Sequence, residues 1–230
     1  ELFCGVSKGF VGPLIARQYI DKPPYIIDEP LRKTFKYLKA LRNLNADRVL
    51  RFSKRPHSPP AVFASDGQGG EHGVAGASCL VLDARANVRV GVCCDVPQRI
   101  LSKWPPSDNH IMRIEAFAVL MGVIRYAALL SDRSAIWFVD NSSALGAIIK
   151  GRSADPTLHL FAQCIHLLLF SLNARVWWEC VESDANWSDG ASRDFGKCEW
   201  ARRHGCVLSD VLCPEIHGQE LDDVIPTLWS

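Results

Sequence analysis

The residues from 134 to 144 read Ser134-Ala135-Ile136-Trp137-Phe138-Val139-Asp140-Asn141-Ser142-Ser143-Ala144. The apolar run at 134–139 predicts a buried strand, and the acidic residue Asp140 follows where that strand would end. A helix is predicted directly afterwards, over Ser142 to Lys150, and it would stop at Gly151. The carboxyl ends of strands are where α/β sheets gather their ligands. This stretch therefore places an acid where an α/β protein has its functional site.

The flanking sequence continues the alternation of strands and helices. Upstream, short apolar runs predict an antiparallel meander of three strands, followed by a helix about 30 Å long at 1.5 Å per residue. Downstream, a capped helix, a fifth strand and a short last helix are predicted. The upstream elements are expected over 61–64, 75–82, 88–94 and 111–130, and the downstream ones over 157–173, 174–181 and from about 188. This order of strands and helices is typical of an α/β domain.

The first 60 residues differ in composition from the rest of the chain. Residues 1–30 show no clean period and indicate an extended lead-in. An amphipathic helix is predicted after them, because the apolar residues that would form its packed face recur at helical spacing, namely Leu31, Phe35, Leu38, Leu41 and Leu44. Residues 31–60 hold nine basic residues against one acidic residue, and the prolines within 53–60 indicate a linker. The basic face of this helix is expected either to contact nucleic-acid phosphates or simply to be solvated. Its basic residues are Arg32, Lys33, Lys36, Lys39 and Arg42.

Overall composition narrows the class of protein. Of the 230 residues, 48% are hydrophobic and 22% are charged, which suits a soluble globular protein, and no apolar stretch reaches the roughly 18 residues that span a bilayer. No membrane partner is therefore expected. The nine cysteines are scattered and odd in number, which favours free thiols in a reducing, intracellular compartment that the sequence does not specify further. A zinc site is the alternative for part of them, although the spacing lacks a paired C-x₂₋₄-C knuckle; its ligands would come from Cys198, His204, Cys206, Cys213 and His217.

Four acidic residues occupy positions that such a fold would bring together. Asp66 ends the first predicted strand, Asp140 ends the fourth, and Asp189 opens the last helix. Glu115 lies near the start of the long helix on a face of small and apolar residues, where an acid is costly to bury. Each acid also has a purely structural explanation. Asp66 can begin a turn, Asp140 and Asp189 can cap helices, and Glu115 can interact with the helix dipole. The four positions taken together favour a shared metal site.

The segments around these acids resemble the ribonuclease H domains of reverse transcriptases from retroelements, particularly those that integrate with a tyrosine recombinase. The resemblance covers residues 61–195 and rests on Phe63-Ala64-Ser65-Asp66, Ile114-Glu115-Ala116-Phe117-Ala118-Val119, the segment 138–144, and Asn186-x-x-Asp189-x-x-Ser192-Arg193. It implies an α/β fold of the RNase H-like type, with a five-stranded mixed sheet flanked by helices. In that sheet three strands are antiparallel and the next two are parallel. The chain then divides into a connection-like segment 1–60, which carries the basic helical extension, a domain 61–195 and a C-terminal tail 196–230.

The resemblance also implies a reaction. Its substrate would be an RNA–DNA hybrid, of which the RNA strand is hydrolysed, and its cofactors would be two Mg²⁺ or Mn²⁺ ions. The residues implied as catalytic and metal-binding are Asp66, Glu115, Asp140 and Asp189, all with the oxygen ligands that hard cations prefer. Asn141 and Ser142 are expected either to contact the 2′-hydroxyls of the RNA or to cap the next helix. Further partners would be the rest of a reverse transcriptase or a larger assembly.

Other kinds of protein with the same fold are distinguished by the positions of their acids. Proofreading exonucleases place Asp and Glu two residues apart on the first strand, whereas Asp66 and Glu115 are 49 residues apart, and integrases end with Glu where this chain has Asp189. The main alternative is a scaffold domain of the RNase H-like type that binds nucleic acid or protein and cuts neither. The complete set of carboxylates favours the enzyme.

Overall fold

A single mixed sheet organises the chain. The structure is a computed structural model that describes residues 11–17, 26–43, 59–69, 75–96, 98–106, 110–194 and 198–211. Its strands are β1 (Ala61–Gln68), β2 (Ala75–Asp83), β3 (Val88–Val96), β4 (Ser134–Val139), β5 (Arg175–Cys180) and β6 (Val207–Asp210). They lie in the order β5-β4-β1-β2-β3-β6. Strands β1 to β3 are antiparallel neighbours, and β4 and β5 continue the sheet in parallel on the other side of β1. Three antiparallel strands followed by two parallel ones are the mixed sheet that the resemblance implies.

The predicted count of five strands is wrong by one. Strand β6 pairs in parallel with β3 and lies within 196–230, the segment expected to be an unassigned tail. The sequence Val207-Leu208-Ser209-Asp210 is short and does not alternate between apolar and polar residues, so it does not show the pattern of a half-buried strand. In the structure its side chains are mostly solvent-exposed. The backbone hydrogen bonds offered by the edge of β3 determine this strand, and they cannot be read from local sequence.

The predicted helices are present with one break, but three short helices were not predicted, and the first of them, Gly12–Arg17, lies in the segment 1–30 that was expected to be extended. They are α1 (Gly12–Arg17), α2 (Glu29–Asn43), α3 (Gln98–Leu101), α4 (Ile111–Arg125), α5 (Ala127–Leu130), α6 (Ser142–Lys150), α7 (Pro156–Ser171), α8 (Asp189–Arg193) and α9 (Glu199–Arg203). The long helix predicted over 111–130 is divided at Tyr126, which leaves helical geometry and packs its ring edge against Phe63. Among the described helices none has the length and apolar content to cross a membrane.

Helices α4 and α6 pack against the sheet, and α7 packs on these two helices. Beneath them Phe63 stacks on Trp137 with ring centroids 4.4 Å apart, and Trp178 packs against Trp137 at 5.6 Å. Helix α4 comes very close to the sheet at Gly122, where a Cβ atom would lie 2.5 Å from the sulfur of Cys79. The adjacent pair Trp177-Trp178 faces both sides of β5 as strand geometry requires, because Trp178 joins the core while Trp177 is 68% exposed.

The amphipathic N-terminal helix is present as α2, but its buried face differs from the prediction. Leu31 is buried as expected, together with Thr34 and Tyr37, whereas Phe35 is exposed. Burial is the main cause of a raised pKa of the Tyr37 hydroxyl, and Cys164 of α7 contributes. The helix therefore packs toward the domain through Tyr37. Leu44 lies outside the described residues.

A buried ion pair ties the end of β2 to the start of β4. Arg133 donates from Nη1 and Nη2 to the two carboxylate oxygens of Asp83 at 2.5 and 3.0 Å, and the Asp83 side chain is fully buried. The backbone amides of Arg85 and Ala86 also donate to Asp83 at the turn that leads to β3. These hydrogen bonds hold the pKa of Asp83 below its usual value, with the Arg133 contact the largest cause. Asp83 thus fixes a turn and a strand junction at once.

Candidate metal centre

Three carboxylates meet at one end of the central strands. Asp66 lies on β1, Asp140 directly follows the neighbouring parallel strand β4, and Glu115 is on α4, the helix packed above them. Each offers a carboxylate oxygen, and the three oxygens all lie within 4.8 Å of one another. Asp66 and Glu115 are buried, whereas Asp140 is partly exposed. The site is therefore open on one side and enclosed by protein on the other.

The approach of Glu115 to Asp66 depends on the glycine after Asp66. A Cβ atom at Gly67 would lie 2.5 Å from the backbone nitrogen of Glu115, so β1 and α4 can approach this closely only if no side chain intervenes. Gly67 is paired with Ala77 of β2, so Asp66 lies within a strand, and the turn considered from the sequence is absent. Helix α4 begins at Ile111, so Glu115 lies beyond its first turn, where the helix dipole cannot account for it.

The electrostatics of the cluster are unfavourable for carboxylates alone. Burial, with the nearby charges of Asp140 and Asp189, raises the pKa of Asp66 to about 6, although a hydrogen bond from Ser192 opposes this. Burial also raises the pKa of Glu115 to about 10, with further contributions from Asp66 and Asp140. Within the described part of the chain, Glu115 Oε2 and Asp140 Oδ1 are buried without a hydrogen-bond partner.

These features are what a cation site requires. Buried polar atoms are normally satisfied, and two unpartnered carboxylate oxygens at one place point to a missing positive ligand. A divalent cation with oxygen coordination would satisfy both atoms and would reverse the repulsion that raises the two pKa values. Asp66, Glu115 and Asp140 therefore fit the ligand set of Mg²⁺ or Mn²⁺.

Asp189, the fourth predicted ligand, is close by but does not join the three-residue cluster. It is the first residue of α8, and its Oδ1 accepts hydrogen bonds from Arg193 Nε at 3.0 Å and Nη2 at 2.7 Å. Its charge nevertheless contributes to the raised pKa of Asp66. Ser188, and not Asp189, occupies the N-cap position, and it makes no side-chain cap. Asp189 is thus near enough to influence Asp66 while it is paired to a cation of its own helix.

A hydrogen-bond network behind Asp66 was not anticipated from the sequence. Ser192 Oγ donates to Asp66 Oδ2, and Asn186 Nδ2 donates to Ser65 O at 3.1 Å and, more weakly, to Asp66 Oδ1 at 3.4 Å. Asn186 is in turn held by Ser188, whose hydroxyl donates to Asn186 Oδ1 at 2.8 Å. Asn186 and Ser192 both belong to the segment 186–193 on which the resemblance rests. The sequence feature that could have indicated their role is their position, three residues before and three residues after Asp189.

The other predicted contact residues have mixed outcomes. Asn141 caps α6, with Oδ1 accepting from the amides of Ser143 and Ala144 at 3.1 and 3.0 Å, and Ser142 is exposed beside it. The capping alternative for Asn141 is therefore what the structure shows. The basic side chains of α2 are exposed at four of the five predicted positions, namely Arg32, Lys33, Lys36 and Lys39. The side chain of Arg42 lies outside the described residues.

The zinc alternative gains no support from the part of the chain that the structure describes. The three-carboxylate cluster is the metal-capable group found there. His204 Nδ1 lies 2.8 Å from the carbonyl of Trp200, and its ring stacks on that of Trp200 with centroids 4.1 Å apart. Cys213 and His217 lie outside the described residues.

No protein-family model and no curated protein matches the chain. Among solved structures, RNase H1 of the halophilic archaeon Halobacterium salinarum is similar at 13% identity and a TM-score of 0.44, over 56% of this chain and 89% of that chain. An N-terminal RNase H domain from Mycobacterium tuberculosis matches at 14% and 0.46, over 63% and 98%. LC11-RNase H1, isolated from compost, matches at 14% and 0.38, over 55% and 87%. At identities of 13–14% and TM-scores below 0.5, these similarities say nothing of function.

Proposed function

We propose that this chain is a divalent-metal-dependent nuclease that hydrolyses the RNA strand of RNA–DNA hybrids and derives from a retroelement reverse transcriptase. The observation that carries the proposal is the Asp66–Glu115–Asp140 cluster, with oxygens within 4.8 Å of one another and two buried oxygens left unpartnered. Such an arrangement is costly to fold without a cation, and a cation held by carboxylates on an open surface suits phosphate chemistry. The proposal therefore rests on residues of this chain.

Each acidic residue has a definable part in this proposal. Asp66, Glu115 and Asp140 would hold the metal, and Asp189 would complete a second position if Arg193 released it. Bound Mg²⁺ or Mn²⁺, as a pair of ions, would supply Lewis-acid stabilisation of the phosphate and an activated water. Asp66 is kept in orientation by the hydroxyl of Ser192 and the amide of Asn186. Arg193, which is 62% exposed at its side chain, can move from Asp189 toward an approaching phosphate.

Selection of the RNA strand would come from the beginning of α6. The cap uses Oδ1 of Asn141, so its Nδ2 group is oriented by the cap and can still donate to a 2′-hydroxyl. Ser142 is exposed on the next residue and offers a hydroxyl that can donate or accept. A 2′-hydroxyl is what distinguishes RNA from DNA at a protein surface. Capping and substrate contact are thus compatible for Asn141.

The proposal is tested by a strand-selective cleavage assay. The full chain is incubated with an RNA–DNA hybrid labelled on each strand in turn, in Mg²⁺, in Mn²⁺ and in EDTA, beside duplex RNA and duplex DNA. We expect cutting of the RNA strand of the hybrid alone, and none in EDTA. Cutting of the DNA strand, or equal cutting in EDTA, would contradict the proposal.

Ser192 provides a prediction about positioning. Replacing Ser192 with alanine removes the hydrogen bond to Asp66 Oδ2, and loss of a residue that orients a metal ligand typically costs about 10- to 100-fold in metal affinity or activity. We expect a loss of this size in the apparent Mg²⁺ affinity measured from cleavage rates. Ser192→Thr keeps the hydroxyl and should recover most of it. Equal behaviour of the alanine and threonine variants would show that the hydroxyl does not act on the metal site.

Two observations favour a second candidate, a scaffold domain that does not cut. Asp189 is held by two hydrogen bonds from Arg193, and Trp177 is 68% exposed on β5, an edge strand that another chain can contact. A folded protein that binds hybrids but cuts none in either metal would establish this reading. The division after residue 60 and the attachment to a reverse transcriptase or larger assembly apply to both candidates, and we count residues 198–211 with the domain because β6 pairs with β3.

A further inference from the structure

The exposed face of α2 carries an aromatic ring among its cations. Phe35 is 46% exposed, whereas Leu31, Thr34 and Tyr37 are buried among the side chains that the structure describes in α2, up to Lys39. An amphipathic helix that served only to pack would bury its phenylalanine and expose polar residues. Phe35 is thus an apolar ring that lies among exposed cations of this helix.

Phe35 is part of a groove. The groove has a volume of about 290 Å³ and is lined by Ile27, Arg32, Phe35, Lys36 and Lys39. Ile27 is 52% exposed, so the apolar part of the groove is open to solvent. Arg32 pairs with Glu29 at 3.5 Å, with both side chains 62% exposed. An exposed pair of this kind contributes little, so Arg32 can exchange it for an anionic ligand.

The lining defines the chemistry of the occupant. Three cations call for a polyanion, and the spacing of Arg32, Lys36 and Lys39 along one helix face suits successive phosphates. The ring of Phe35 calls for a flat apolar partner. Paired bases are hidden within a duplex, so a protein ring can stack only on an unpaired base. Basic grooves with aromatic side chains are how proteins bind single strands without reading sequence.

We propose that the α2 groove binds single-stranded nucleic acid, with a base stacked on Phe35 and phosphates at Arg32, Lys36 and Lys39. The preferred substrate of the chain is then a hybrid with a single-stranded extension, and this statement about the substrate rests on the proposed nuclease function. Binding of the single strand does not rest on that function, because α2 contributes none of the carboxylates. A basic helix with apolar residues can also contact anionic lipid, but a concave lining with cations among the apolar groups suits an inserted base better than a flat bilayer.

The test is fluorescence anisotropy of a short labelled oligothymidylate with the full chain in EDTA, which prevents cleavage. Phe35→Ala is expected to weaken binding by about tenfold or more, since stacking of one base on an aromatic ring is worth about 1–3 kcal/mol. Phe35→Trp should retain the affinity. Lys36→Gln with Lys39→Gln should weaken binding and reduce the slope of log K against log salt by about 1.4 for a single strand. Ile149→Ala, an equally exposed apolar residue on α6, is the control and should change nothing.

Other outcomes would overturn the proposal or would separate it from the proposed nuclease function. Unchanged affinity in Phe35→Ala, or duplex DNA bound as tightly as the single strand, would overturn the proposal in favour of a simple phosphate contact. Binding to vesicles containing phosphatidylserine, without binding to the oligonucleotide, would overturn it in favour of a lipid surface. Phe35-dependent binding in a protein that fails to cleave hybrids would support this inference and contradict only the proposed nuclease function.

Discussion

Replacing Asp140 with asparagine is expected to reduce cleavage of the hybrid by about 10³-fold or more, equivalent to about 4 kcal/mol of transition-state stabilisation. Asparagine has the same shape but is neutral, and the cluster would lose one of its three charged ligands. Asp140 is only partly buried, and its charge adds to the repulsion around Glu115. The variant should therefore fold normally and melt in EDTA at the wild-type temperature or above it. The measurement is the initial rate of RNA cleavage at saturating Mg²⁺.

A matched control separates the cluster from general acidity. Asp184 is exposed in the one-turn 3₁₀ helix Ser183–Ala185 that precedes the site, and it lies outside the cluster. Asp184→Asn should cleave at the wild-type rate. If Asp140→Asn kept most of its activity, the observed nuclease would use some other centre.

Replacing Arg133 with methionine is expected to destabilise the fold by about 3–5 kcal/mol, the usual cost of leaving one member of a buried ion pair uncompensated. Asp83 is fully buried and would lose both hydrogen bonds from the guanidinium while keeping those from two backbone amides. Denaturant unfolding followed by circular dichroism measures the difference. Arg175→Met is the matched control, since Arg175 begins the next strand with its side chain exposed, and it should cost little.

The same pair predicts a dependence on pH. The Arg133 contact lowers the pKa of Asp83 in the folded protein, so its stabilisation is present above the unfolded pKa of about 4 and is lost as pH falls through the lower folded value. The difference between wild type and Arg133→Met should therefore be large at neutral pH and should shrink in acid. Asp83→Asn in the Arg133→Met background should recover part of the stability, because no buried charge remains. A difference that is constant with pH would show that packing, and not charge, accounts for the effect.

The residues around Asp140 show how much of the fold and of the candidate site could be predicted from the sequence. The strand 134–139 and the helix 142–150 were predicted with the bounds that the structure has, because periodicity, a capping Asn and a terminal glycine all agree there. Glu115 was found for a related reason, since an acid on a face of small residues has few structural explanations. In both places the deciding information is local. The carboxylate cluster could therefore be anticipated before any coordinates existed.

The remaining features depend on partners distant in sequence. Strand β6 exists because β3 offers a free edge, and Tyr126 ends α4 where it meets Phe63. The hydrogen bond from Ser192 to Asp66 joins residues 126 positions apart. Phe35 was assigned to the buried face of α2 by its period alone, which cannot tell which of several apolar stripes meets the domain. Each of these outcomes is set by tertiary contact.

The measurement that tests the central claim most directly is a calorimetric titration of Mn²⁺ into the metal-free protein, repeated with Asp140→Asn and Glu115→Gln. We expect saturable binding to the wild type, accompanied by proton release because Glu115 has a pKa of about 10 without metal, and strongly weakened binding in both variants. Wild-type protein that is folded and binds no Mn²⁺, or variants that bind it as tightly as the wild type, would contradict the claim that these carboxylates form a metal centre.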